Sequence, residues 1–278
     1  MSVVEEILSI KDWRHPYDIP GQQLAKDHYL DWHPWRLSVD RPNLDLILGG
    51  FRGKRMLDVG CNDGWYSFAY EKEGANVIGV DARSDAIHRA DLIRKHYDSR
   101  ATFVCGDVQE LTRADPRFAE PFDATLFYGL LYHLSDPIGT LERIGAMTSK
   151  VIAVQSWING EDRQPFLRIR NEIVALPGSG ITPIVTTPSQ SAIVMMLKNA
   201  GFDRVFRATP KSYLQVRTLA KESSPRWQFG FFYGVKGDCP PLDATEIDER
   251  TPPLTPYGPI ARAADLARRA ARRWIPAR

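Results

Sequence analysis

Between residues 55 and 64 the chain reads RMLDVGCNDG, a short apolar run that ends on an acid and breaks into a turn of small residues. A helical pattern, GWYSFAYEKEG (64–74), follows at once, so Asp58-Val-Gly60-Cys-Asn62-Asp-Gly64 joins a strand to a helix N-terminus. Small residues at such a junction let backbone N–H groups approach an anionic ligand. The alternation then repeats. NVIGVD (76–81) reads as a strand, Ser84–Tyr97 as a helix, ATFVCGD (101–107) as a strand, and FDATLFYGLL (122–131) contains a fourth. Asp136-Pro137 supplies an N-cap and a first-turn proline for a helix to Met147, and KVIAVQSW (150–157) is a fifth strand. Strands alternating with helices over short connections predict an α/β fold, a parallel sheet with helices on both faces.

The flanks read differently. Residues 1–51 hold Trp13, Trp32 and Trp35 with Pro16, Pro20, Pro34 and Pro42, too many prolines for one continuous helix; the reading is an irregular aromatic cap with short helices, one over Asn43–Leu48. Residues 158–187 interrupt the alternation with a Pro/Gly-rich insertion around a short helix, Phe166–Leu176. A helix over Ser189–Ala200 and strands FDRVFRA (202–208) and RWQFGFFYGVK (226–236) complete a domain spanning 52–236, and 237–259 reads as a linker. Three scattered cysteines, Cys61, Cys105 and Cys239, without CxxC spacing, and an N-terminus carrying two Glu where a signal peptide has Lys or Arg, fit a reduced cytoplasmic protein. The net charge of +2 divides unevenly: +5 lies in the last twenty residues, leaving −3 in the first 258. Within 237–278 the tail PIARAADLARRAARRWIPAR places Ile260, Ala264, Ala267, Ala271 and Trp274 at helical spacing, the pattern of a basic amphipathic helix able to lie on an anionic membrane or bind nucleic acid.

Asp81, 21 residues after Gly60, is placed to accept hydrogen bonds from ribose hydroxyls. A nicotinamide dinucleotide fold shares the glycines and this acid. Three details separate the two. The loop is GxxxG rather than GxGxxG. Asp58 would repel a pyrophosphate yet suits a cationic amino group. Asp107, ending the third strand, can meet an adenine amine. A ligand with an adenine, a ribose and an ammonium but no phosphate is S-adenosylmethionine.

At LDVGCNDG, VIGVDA, CGDV and FDATLFYGLLYHLSDP the chain resembles the class I S-adenosylmethionine-dependent methyltransferases over residues 52–236. The resemblance implies a Rossmann-like seven-stranded, mostly parallel sheet whose last strand, FFYGVK, is antiparallel. It places Asp58, Gly60, Asn62, Gly64, Trp65, Asp81, Ala82, Asp107, Val108 and Tyr128 at the donor. Asn62 stands where the family has its middle glycine, a departure that the left-handed tolerance of Asn accommodates. LFYGLLYHLSDPIGTLERI is most similar to a subgroup containing tRNA wobble-uridine carboxymethyl transferases and methyltransferases of sugars and natural products.

Methyl transfer to oxygen or nitrogen needs alignment and a proton acceptor. His133, on the loop after the fourth strand, is the candidate base, and a histidine that merely fixes that loop is the alternative; Tyr132 is the second candidate, as donor or positioner. Of the two aromatics opening the first helix, Trp65 and Tyr66, one is expected in the pocket, while Phe68 reads as core. Trp35, Tyr66, Trp157 and Arg168 are the acceptor-side candidates. Tyr128-Gly129 and Gln155-Ser156-Trp157 stand where metal-dependent members carry acids, so no metal is expected; His28 and His33, five apart, read as surface or capping residues. No Lys/Arg stripe with interleaved aromatics marks the catalytic region, which argues against nucleic acid as acceptor. The expected activity is methyl transfer to a hydroxyl of a small sugar or secondary metabolite. The alternatives are a tRNA-modifying (carboxy)methyltransferase, with the basic tail as its anchor, and a non-catalytic S-adenosylmethionine-binding protein; a peripheral membrane contact through 259–278 would point to a lipid-linked sugar as acceptor.

Overall fold

A computed structural model describes residues 2–11, 13–20, 22–25, 27–159, 164–176, 178–208 and 227–252, with the side chains of 23, 27–31, 227 and 228 left out. The basic tail 259–278 and Arg163 therefore lie outside the described residues. Helix α1 (Val3–Ser9) is started by a capping box in which the Ser2 hydroxyl accepts from Glu5 N–H and the Glu5 carboxylate reaches back to Ser2 N–H. A two-residue ribbon, β1 (Asp18–Ile19) with β2 (Gln22–Gln23), leads to α2 (Asp27–Leu48). The alternating core follows: β3 (Arg55–Val59), α3 (Trp65–Lys72), β4 (Asn76–Asp81), α4 (Ser84–Tyr97), β5 (Thr102–Cys105), β6 (Phe122–Tyr128), α5 (Pro137–Met147) and β7 (Thr148–Asn159). The Asp136 carboxylate caps α5 by accepting from Gly139 N–H at 2.9 Å, with Pro137 in the first turn. Strands β8 (Leu167–Asn171) and β9 (Ile184–Pro188), helix α6 (Gln190–Asn199), and strands β10 (Arg204–Ala208), β11 (Trp227–Val235) and β12 (Ala244–Ile247) complete the described chain.

The main sheet has eight strands in the order β12-β10-β11-β7-β6-β3-β4-β5. Strands β7, β6, β3, β4 and β5 are mutually parallel, and β11 runs antiparallel to both β7 and β10. Seven of these strands answer to the sequence expectation, with β11 the antiparallel one. The eighth corrects it: Ala244–Ile247, in the stretch read as linker, pairs with the outer edge of β10. Period-two alternation splits the apolar side chains between the two faces. Leu57, Val59, Phe127, Ile152 and Val154 pack toward α5 and α6, while Met56, Leu126, Val151 and Ala153 pack with Leu44 and Ile47 of α2 and Tyr66 and Tyr70 of α3.

Two further expectations change. The first 51 residues contain one 22-residue helix, α2, with Pro34 and Pro42 inside it. Each proline removes a backbone hydrogen bond, but burial of Val39, Leu44, Ile47 and Leu48 holds the helix against the sheet. In the insertion the expected helix Phe166–Leu176 is an antiparallel hairpin, β8 with β9. Leu-Arg-Ile-Arg alternates with period two, and that strand pattern prevailed. Among the described residues no helix is long and apolar enough to cross a membrane.

Candidate active site

The chain leaves β3 toward β4 and β5 on one side and returns through β6 and β7 on the other, so β3 and β6 flank the switch point at which open α/β sheets bind ligands. A cavity of about 450 Å³ opens there, at the carboxyl ends of the strands. One wall comes from three strand ends and carries Asp58, Asp81 and Asp107. Asp58 of β3 is buried, its Oδ2 accepting from the Ser67 hydroxyl at 2.6 Å. Burial, reinforced by the charge of Asp81, pushes Asp58 up to about 7. Asp81 of β4 accepts from the backbone N–H of Asn62 and of Arg83, each at 2.9 Å, and burial raises it too. Asp107, after β5, accepts from Gln109 N–H at 2.9 Å. Two hydrogen bonds leave a carboxylate with acceptor sites to spare, so Asp81 can still receive ribose hydroxyls.

The glycine loop is shaped by backbone more than by side chains. Gly60 has φ +69°, and a Cβ on it would come within 3.1 Å of Leu130. Asn62 takes φ +52°, the left-handed region expected of it, and its Oδ1 accepts from Asp63 N–H. Gly60, Asn62, Ala82, Val108 and Tyr128 line the cavity as expected. Two donor candidates do not. Gly64 faces Phe103, whose ring would lie 2.6 Å from an added Cβ, so this glycine serves helix–sheet packing. Trp65 turns away and donates its indole N–H to the Pro16 carbonyl at 2.7 Å, which leaves Tyr66 as the member of the pair that lines the cavity.

The opposite wall begins at the end of β6. Leu131–His133 form a single 3-10 turn after Gly129, and Tyr132 and His133 both line the cavity. His133 Nδ1 lies 2.8 Å from both carboxylate oxygens of Glu172, which also accepts from Gly180 N–H at 2.7 Å. Burial lowers the His133 pKa while Glu172 opposes the shift, so the ring is neutral near pH 7. A neutral ring donating from Nδ1 keeps its lone pair on Nε2, the state a general base requires. Burial raises the Tyr132 hydroxyl, which makes it a hydrogen-bond donor and not a base at neutral pH. Trp157 and Phe229 extend this wall. Trp35 and Arg168 do not reach the cavity: Trp35 packs edge-on against Phe231, with ring centroids 5.2 Å apart, and Arg168 is exposed on β8.

Several cavity residues escaped the sequence reading. His33, read as a surface or capping residue, is buried; its Nδ1 meets the Tyr66 hydroxyl at 2.9 Å, and burial drives it far below the usual histidine range. Arg36 is 6% exposed, bonds Gln155 Oε1 through Nε, and lies within 6 Å of four aromatic rings, the nearest being Phe229 at 5.1 Å. For these residues the only available signal was a density of His, Arg and Trp in the first 51 positions, which carries no spacing rule.

These groups fit the donor: three acids at adjacent strand ends suit an ammonium, a ribose diol and an adenine amine. Comparisons with known proteins agree. A family model described as a methyltransferase domain matches residues 35–206. A tRNA U34 carboxymethyltransferase of Pseudomonas savastanoi pv. phaseolicola is 26% identical over 260 residues, covering 88% of this chain and 72% of the relative. One of Pseudomonas paraeruginosa is 30% identical over 215 residues, covering 72% of this chain and 58% of the relative. Among solved structures, the N-terminal domain of EvdMO1 with SAH bound superposes with a TM-score of 0.68 at 19% identity, covering 84% of this chain and 96% of that one. Magnesium protoporphyrin IX methyltransferase of Synechocystis with bound SAM gives 0.51 at 15% identity, covering 78% and 87%. The last two show likeness of fold. The family match covers more than half of the chain: it belongs to the class I S-adenosylmethionine-dependent methyltransferases.

Proposed function

We propose that this enzyme transfers a methyl group to a hydroxyl of a small polar acceptor, a sugar or a secondary metabolite. The observation that carries the proposal is the His133–Glu172 pair, a neutral histidine of the cavity wall oriented by a carboxylate behind it. The donor supplies an electrophilic methyl on a sulfonium. Asp81 and Asp107 would hold its ribose and adenine, and Asp58 its ammonium. Tyr66 and Tyr128 present aromatic rings suited to a positive charge. The acceptor hydroxyl would lose its proton to His133 Nε2 as its oxygen takes the methyl and the methyl–sulfur bond breaks, releasing S-adenosylhomocysteine, and Glu172 would stabilise the imidazolium that results. Residues 1–51 and 158–187 act as cap and substrate-side insertion, since both contribute cavity residues. Labelled donor incubated with fractionated cell extract tests the proposal: label is expected in polar metabolites, and label confined to RNA or lipid contradicts it.

A second reading, carboxymethyl transfer to a tRNA uridine, is favoured by one observation besides the names of the relatives. A Cβ placed on Gly129 would lie 3.5 Å from Tyr132 Oη and 3.6 Å from Arg36 Nη2. Arg36 Nη2 is buried without a hydrogen-bond partner among the described residues. A hydroxyl and a guanidinium converging above the end of β6 suit a carboxylate on the transferred group. Transfer from a donor carboxylated at its methyl, together with salt-sensitive tRNA retention, selects this reading; absence of both removes it.

A further inference from the structure

The donor loop is held from outside the sheet. Asp63, in the middle of that loop, is fully buried. Its Oδ1 takes a short hydrogen bond from His15 Nδ1 and another from the Tyr17 hydroxyl at 2.9 Å, and the same hydroxyl lies 2.6 Å from the Asp63 carbonyl oxygen. One position along from Gly64, the Trp65 indole donates to the Pro16 carbonyl, and its ring lies nearly parallel to His15, with centroids 6.2 Å apart. Three consecutive residues, 15 to 17, therefore grip the loop. Arg14, one position earlier, reaches the opposite side of the site: a Cβ on Gly178 would lie 2.0 Å from its Nη1. Arg14 and His15 themselves line the cavity, so this stretch runs along its wall from the glycine loop to the insertion. It lies upstream of residues 35–206, the part that matches the family.

We propose that residues 13–17 form a latch over the donor loop, with His15 as its positioning residue, and that the donor enters and leaves only when the latch lifts from Asp63. The inference rests on the donor reading of the glycine loop. A buried carboxylate left without partners is costly, so the closed latch is strongly favoured and opening is slow. Tyr17 and the Pro16 carbonyl add grip, and His15 is the Asp63 partner that also lines the cavity.

Stopped-flow binding of S-adenosylhomocysteine to the full chain tests this. A contact that merely holds the ligand changes the dissociation rate, whereas a latch controls both directions. His15→Ala is expected to raise both the association and the dissociation rate constants about tenfold, the order of one charge-assisted hydrogen bond. His15→Gln, whose amide can donate to Asp63, is expected to keep both rates slow. Should His15→Ala fail to fold, Trp65→Phe removes the bond to Pro16 and shrinks the ring stacked on His15, and is expected to raise both constants about threefold. An association rate constant that is unchanged or lower in the variant that folds overturns the latch. Failure of the unsubstituted protein to bind the probe at all is a different result: it removes the donor reading and the latch with it.

Discussion

The two walls of the cavity are built in opposite ways. The proposed donor wall uses three acids from successive strand ends, Asp58, Asp81 and Asp107, and the groups that bond them directly lie within 19 residues in sequence: Asn62, Arg83 and Gln109 by backbone N–H, Ser67 by hydroxyl. The acceptor wall joins groups far apart in the chain. His133 is oriented by Glu172, 39 residues on, and Arg36 by Gln155, 119 residues on. A wall made by the fold's own regular connections is available to any ligand that suits the fold. A wall assembled from insertions can change its acceptor without disturbing the sheet. The two should fail separately when substituted.

The largest effect on ligand affinity is expected on the donor wall. Asp81→Ala removes the acceptor for the ribose and the anchor of Asn62, and is expected to weaken S-adenosylhomocysteine about 100-fold by calorimetry, roughly two charge-assisted hydrogen bonds. Loss of less than about threefold would separate Asp81 from the donor. Next comes pH. With Asp58 at about 7, the free protein holds a proton there that a cationic ligand must displace. Affinity for S-adenosylmethionine should therefore fall as pH drops below 7, approaching tenfold per unit, and the slope should vanish in Asp58→Asn. The same shift opposes stability. The folded protein binds this proton between about 4 and 7 and the unfolded chain does not, so stability contributed by Asp58 falls as pH rises through that window. Asp58→Asn should thus raise the thermal midpoint at pH 8, by about 1–3 kcal/mol in free energy, while donor affinity declines.

On the acceptor wall Glu172→Gln keeps a hydrogen-bonding group beside His133 but loses the charge, and is expected to slow transfer about tenfold with donor affinity intact. A parallel loss of donor affinity would mean that the walls are coupled. The smallest effect is expected from Arg168→Ala: exposed on β8 and off the cavity, it should alter neither readout by more than about twofold.

How much was legible in the sequence follows the same division. The strand–turn–helix units and their caps obey local rules, so β4 and α4 fall where local rules put them, and the acids at the strand ends with them. Arg36 and His33 escaped because two prolines argued against the single helix that carries them into the cavity, and tertiary burial overrode that argument. Glu172 escaped because alternation over Leu167–Arg170 was read at the wrong period, which hid a hairpin and the carboxylate that follows it. Trp65 was misplaced because residues side by side at a helix start face different ways; no spacing rule tells which of the two enters the pocket.

The division of the site is tested most directly by His133→Ala, assayed for transfer of labelled methyl to the acceptor fraction and, in the same preparation, for S-adenosylhomocysteine affinity by calorimetry. The expected result is a loss of transfer of about 100-fold or more with affinity changed by less than about threefold. Near-normal transfer would contradict the account, reducing His133 and Glu172 to a brace for the loop and leaving the acceptor's proton to be taken elsewhere.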